Sequence, residues 1–173
     1  TISFSLDSGE EGGISDPAFL QTSEQFARWL QAQPEVIHVA TYTDIMKRLN
    51  KTMHGDDPAW YRLPEERELA AQYLLLYEFS LPFGLDTNNL LDAGKASTRI
   101  TATVADSSTD NILGLQQRSQ QWLRDNAPSA MYHPGTSSDI MFAHMGYSNI
   151  RSMLEGSALA LLIISLILGF ALR

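Results

Sequence analysis

A chain of 173 residues, 44% of them apolar, is long enough for one domain of ordinary size and a further helix. Twenty acidic against twelve basic side chains give a net charge of −8, and no Lys/Arg cluster is present to displace counterions, which argues against a nucleic-acid partner or a basic membrane-surface patch. The absence of cysteine removes disulfides and thiolate metal sites and is compatible with the bacterial periplasm, as it is with the cytosol.

The chain opens at Thr1 inside an alternating run, with no initiator Met, and reads as a piece of a longer protein. Ile2, Phe4 and Leu6 alternate with Thr1, Ser3, Ser5 and Asp7, the period-two pattern of a half-buried strand, which the turn residues Ser8-Gly9 to Gly12-Gly13 end. Asp16-Pro17 predicts a helix start, and Phe19, Phe26, Trp29 and Leu30 follow at helical spacing to about Gln33. Val36 to Tyr42 is β-branched and aromatic and predicts a second strand, so residues 1–42 read as a βαβ unit.

Residues 43–95 read as a helical insertion. Thr43 and Asp44 are candidate caps for a helix with Ile45, Leu49 and Met53 inward, ending at Gly55. After Leu63-Pro64, the acidic Glu65-Glu66 suits a helix N-terminus, and Leu69 to Phe79 is apolar nearly all round. Such a helix needs cover on more than one side, from its own domain, a partner or a hydrophobic substrate. Asp86 then caps a short helix that Gly94 closes.

From Ser97 to Ala105 alternation returns, with Ile100, Ala102 and Val104 on one face. Ile112, Leu115, Ser119, Trp122 and Leu123 mark an amphipathic helix up to Pro128, and Ala130 to His133 predicts a short strand before Pro134-Gly135. Residues 96–135 thus form a second βαβ unit, and two such units on one sheet predict an α+β fold, a ferredoxin-like split βαβ with a helical insertion. Ser138-Asp139 starts a connecting helix through Met141, Met145 and Ile150. It leads into Gly156 to Leu172, an uncharged run rich in Leu, Ile and Ala; counted from Met153, at about 1.5 Å per residue, the apolar stretch covers a bilayer core of roughly 30 Å. The predicted division is a domain over 1–147 and a transmembrane helix over 148–173, with Glu155 near one interface. Arg173 leans towards the cytoplasm and the domain towards the outside.

No catalytic constellation is present. His38, His54, His133 and His144 lack paired metal-ligand spacing, and no G-x-S-x-G elbow occurs. Asp86, Asn88 and Asp92 fail as a calcium loop because Leu90 and Leu91 stand where oxygen ligands are needed. Gly9, Gly12 and Gly13 do not make a nucleotide fingerprint, and Asn50-Lys51-Thr52 is a glycosylation sequon better explained as a polar helix end. The expectation is a protein that is not an enzyme, with no metal and no cofactor.

PEVIHVATYTDIMKRLN at 34 to 50, YRLPEERELAAQYLLLYEFSLP at 61 to 82, STRITATVAD at 97 to 106 and ALLIISLILGFALR at 160 to 173 give the chain a likeness. In that order it resembles a large extracytoplasmic loop of an exporter of the resistance-nodulation-division superfamily, MMPL-like branch, and more the second loop leading into the eighth span than the first. The resemblance implies a periplasmic porter domain in the bacterial inner membrane, moving hydrophobic or amphipathic substrates such as lipids or drugs outward at the expense of the proton gradient. It implies as partners the lipid bilayer, the remaining spans, the sister porter loop and further copies in a homo-oligomer. Proton-relay carboxylates lie on other spans in that family, and none transfers to this chain. Tyr73, Leu76, Tyr77 and Phe79 are the candidate substrate-passage or partner-contact residues, and Gly156 and Leu172 bound the span. The rivals are a membrane-anchored periplasmic binding or scaffold domain and, behind it, an anchored hydrolase.

Overall fold

The computed structural model describes residues 1–82, 86–105, 108–133, 135 and 138–171, apart from the side chains of 109, 138–149, 166 and 169–171. Within them the chain is mixed α/β, with three strands and five α-helices: β1 (Ile2–Asp7), α1 (Pro17–Gln31), β2 (Val36–Ala40), α2 (Tyr42–Met53), α3 (Arg67–Ser80), β3 (Ser97–Val104), α4 (Thr109–Asn126) and α5 (Ser138–Ala171).

β3 is the central strand, antiparallel to β1 on one side and to β2 on the other, so β1 and β2 run parallel with β3 between them. α1 makes the crossover from β1 to β2. It begins where Asp16-Pro17 predicts, because the Asp16 carboxylate accepts from the amides of Ala18 at 2.8 Å and Phe19 at 3.3 Å. The inward residues of the strands, Ile2, Phe4, Leu6, Ile100 and Ala102, are fully buried. Phe26 of α1 meets Phe4 edge-on at 5.3 Å and lies 5.2 Å from Trp122 of α4, so one aromatic cluster ties both helices to the sheet.

Three expectations need correction. β2 ends at Ala40 rather than Tyr42, and the cap of α2 is Thr41, whose hydroxyl accepts from the Thr43 amide at 3.2 Å. Ile45 and Leu49 are half-buried against the core as expected, but Tyr42 and Met46 are the fully buried residues of the helix and Met53 is exposed. No helix forms over 86–94. There the Asp92 carboxylate accepts from the amides of Gly94 at 3.0 Å, Ala96 at 2.8 Å and Ser97 at 2.6 Å, and a tight turn results. The strand expected over 130–133 is absent as well. Ser129–Met131 is a 3-10 turn packed against β1, with Met131 buried; Pro128, lacking an N–H, begins a segment too short to build a ladder. The second βαβ unit is therefore open.

The chain then passes close to the sheet. A Cβ at Gly135 would lie 2.4 Å from the Phe4 ring, and the Gly135 carbonyl accepts from the Gln116 side chain at 3.0 Å. α5 follows, 34 residues in one helix and in contact with α4. Its large apolar side chains from Ile150 to Leu168 are exposed where described. Among the described residues no helix is long and apolar enough to cross a membrane, so the transmembrane helix expected over 148–173 is not shown as such. Gly156, the predicted start of the span, is within α5, but Leu172, its predicted end, lies outside the described residues.

Candidate functional site

α3 follows Pro64 and ends at Leu81-Pro82, and its sequence carries too many apolar residues for one face. The inward side is Ala70, Tyr73 and Leu74, all buried, against α2 and the 3-10 turn Gly13–Ser15. Tyr73 donates its hydroxyl hydrogen bond to the Asn50 side chain at 3.0 Å, and Asn50 donates to the Arg62 carbonyl at 2.9 Å. Burial pushes the Tyr73 phenol above its ordinary range. Asn50, only 3% exposed and bonded on both ends of its amide, is thus a structural pin in the fold rather than a glycan acceptor.

The outward side is apolar too. Leu75 is 49% exposed, Leu76 41% and Phe79 80%, positions that share one helical face, and Tyr77 is half-buried at its margin. Of the four predicted contact residues, Tyr73 is core, Leu76 and Phe79 are surface, and Tyr77 lies between. Leu75 was the omission, although its spacing of one from Leu76 and four from Phe79 places it on the same stripe. Glu78, beside this stripe, pairs with Lys95 at 2.9 Å. Burial, and then the charge of Glu78, push the phenol of the fully buried Tyr42 well up, and its hydroxyl has no hydrogen-bond partner among the described residues.

At the N-terminal end of α3 lies a cleft of about 300 Å³, lined by Asn50, His54, Trp60, Arg62, Leu69 and the Leu63–Glu66 turn. Trp60 stacks on His54 with ring centroids 3.6 Å apart, and the Arg62 guanidinium lies 4.5 Å from the Trp60 ring. The cleft therefore offers a flat aromatic and cationic wall but no nucleophile held by a base. His54 is further fixed by its contact with the Asn50 carbonyl at 2.8 Å.

A second polar cluster joins α1 to α2. Lys47 places its ammonium 2.8 Å from Glu24 and 2.8 Å from Asp44, while Arg28 at 2.9 Å and the Thr43 hydroxyl at 2.6 Å also reach the Glu24 carboxylate. Burial alone would raise the Glu24 carboxyl, but the bonds from Lys47, Thr43 and Arg28 and the Lys47 charge hold it below the usual range. Burial likewise opposes the Lys47 charge, and its two carboxylate partners outweigh it and raise the lysine. Every charge is paired internally, so the cluster clips helices together. Its sequence signals were the Glu24/Arg28 and Asp44/Lys47 spacings; the link between the two helices has none.

His38 is exposed on the wall of the cleft that Glu24, Arg28, Asp44 and Lys47 also line, His133 is exposed, and the His144 side chain lies outside the described residues. Among the described residues no group of three or more His, Asp or Glu side chains is placed to hold a metal ion. The chain matches no protein-family model, curated protein or solved structure with which it was compared.

Proposed function

We propose that the chain is the extracytoplasmic porter domain of a proton-driven exporter of the resistance-nodulation-division superfamily, MMPL-like branch, with α5 leading into the inner membrane. The observation that carries the reading is the outer stripe of α3. Leu75, Leu76 and Phe79 are exposed on a helix whose opposite side already fills the core. Water gives such a face no reason to exist, whereas a passage for lipid-like or drug-like cargo, or the contact with a sister loop, covers it.

Two features support the rest of the reading. The order β1-β3-β2, with β1 and β2 parallel, is compatible with three strands of a ferredoxin-like split βαβ, and the turn 129–131 packs against β1, the strand beside which a fourth would pair. On α5, exposed Leu and Ile side chains extend from Ile150 to Leu168, and Arg151 neutralises Glu155 at 2.8 Å just ahead of the uncharged run. In this account α5 transmits movement of the spans to the domain as a continuous helix, and rocking of porter domains opens and closes the passage.

The test is export by the parent protein carrying Leu76→Asp with Phe79→Asp. Export falls roughly tenfold or more, the loss expected when apolar contacts worth a few kcal/mol are removed, with membrane level and thermal stability retained. Undiminished export contradicts the reading.

A further inference from the structure

Among the described residues β2 is an edge strand whose one neighbour is β3, and it carries Ile37, with a side chain 61% exposed. An exposed apolar edge is a template for another strand. Here the rim is already occupied. The Gln31 side chain, at the last residue of α1, donates from Nε2 to the Ile37 carbonyl at 3.2 Å, and its Oε1 accepts from the Val39 amide at 3.0 Å. Donating to one residue and accepting from the residue two further on is how a single backbone residue of a parallel neighbour bonds to a strand. One side-chain amide thus reproduces one residue of a strand that is not there.

We propose that Gln31 keeps the β2 edge from pairing with the β2 edge of a second copy of this chain. The geometry commits to that occupant because the two groups Gln31 takes are self-complementary. In an antiparallel pair with its two-fold axis at His38, the Val39 amide of each copy meets the Ile37 carbonyl of the other. The cap and the second copy therefore compete for the same donor and the same acceptor. The register shift between Val36 and His38 adds a bulge to this edge, a further device against open-ended pairing. Gln31 is itself exposed, so the cap exchanges with water and sets a rate of opening rather than a permanent block. The inference is independent of transport, since it concerns the end of α1 and β2, while the proposed contact stripe is on α3.

The chain has no cysteine, so a single His38→Cys reports the pairing directly. Residues facing each other at the two-fold axis of an antiparallel pair are close enough for a disulfide. In the full chain under mild oxidation, Gln31→Met, which keeps the bulk and removes both hydrogen bonds, raises the rate of crosslinked dimer formation roughly tenfold over the Gln31 parent. Exchange of the Val39 amide accelerates alongside. Gln31→Glu, which retains the acceptor for Val39 and loses the donor to Ile37, gives an intermediate rate and keeps the test open if the Met variant folds poorly. Equal crosslinking in all backgrounds, as association through α5 alone would give, or Val39 exchange unchanged by loss of Gln31, overturns the proposal.

Discussion

At the scale of single residues, the Glu24 and Lys47 pair shows how much of this domain's stability depends on polar groups away from the candidate site. Both are nearly buried, and removing one leaves the other with a desolvated charge. Lys47→Ala is expected to lower unfolding free energy by about 3 kcal/mol in urea titrations, and Glu24→Gln combined with Lys47→Met to recover a large part of that loss. The pH dependence follows from the directions of the shifts. Glu24 is held below its ordinary value, so its contribution is present above that value and disappears as pH falls through the folded one; Lys47 is raised, so its contribution is full below the ordinary lysine value and is lost as pH rises through the folded one. Glu24→Gln should therefore flatten the acid limb of a stability profile. Gly135→Ala tests a different constraint. Its Cβ would overlap the buried Phe4 ring, and a loss of about 1–3 kcal/mol is expected, with a matching fall in melting temperature.

Elements carry the next set of expectations, and α3 is the informative one. Leu76→Asp and Phe79→Asp change the outer stripe alone and should alter stability by no more than about 0.5 kcal/mol, whereas Tyr73→Phe, which leaves Asn50 with an unanswered acceptor, should cost about 1–2 kcal/mol. Differential scanning of the three variants checks the division; unfolding of Phe79→Asp would show that the outer stripe is core. The same helix marks how far the sequence could be read. Local chemistry made α1, β1 and β3 legible, because Asp16-Pro17 and the strict alternations each specify one structure. An all-round apolar run says that cover is needed and not from which side, so Tyr73 and Leu76 looked alike until packing against α2 separated them. The strand expected over 130–133 failed for a related reason. Composition suited a strand, but pairing is decided by β1 and by Pro128, and what formed is a 3-10 turn that buries Met131. The link of Glu24 to Lys47 joins two helices across a strand and leaves no pattern in the chain.

For the whole molecule, one aromatic cluster ties the crossover helix α1 and the helix α4 to a small sheet, and the chain runs past Gly135 into a single long helix. The central claim of the proposed function is that this helix, continued beyond the described residues, takes the chain into a membrane with the α/β domain on the outer side. Introduced cysteines test it most directly, since this chain has none, in a parent whose other cysteines are replaced by serine. Asp57→Cys lies on the exposed turn before Pro58 and Leu162→Cys within the apolar part of α5. In spheroplasts treated with a membrane-impermeant maleimide, the account predicts that Asp57→Cys is labelled at once and Leu162→Cys only after detergent is added. Labelling of Leu162→Cys without detergent, or of Asp57→Cys only after lysis, would contradict it.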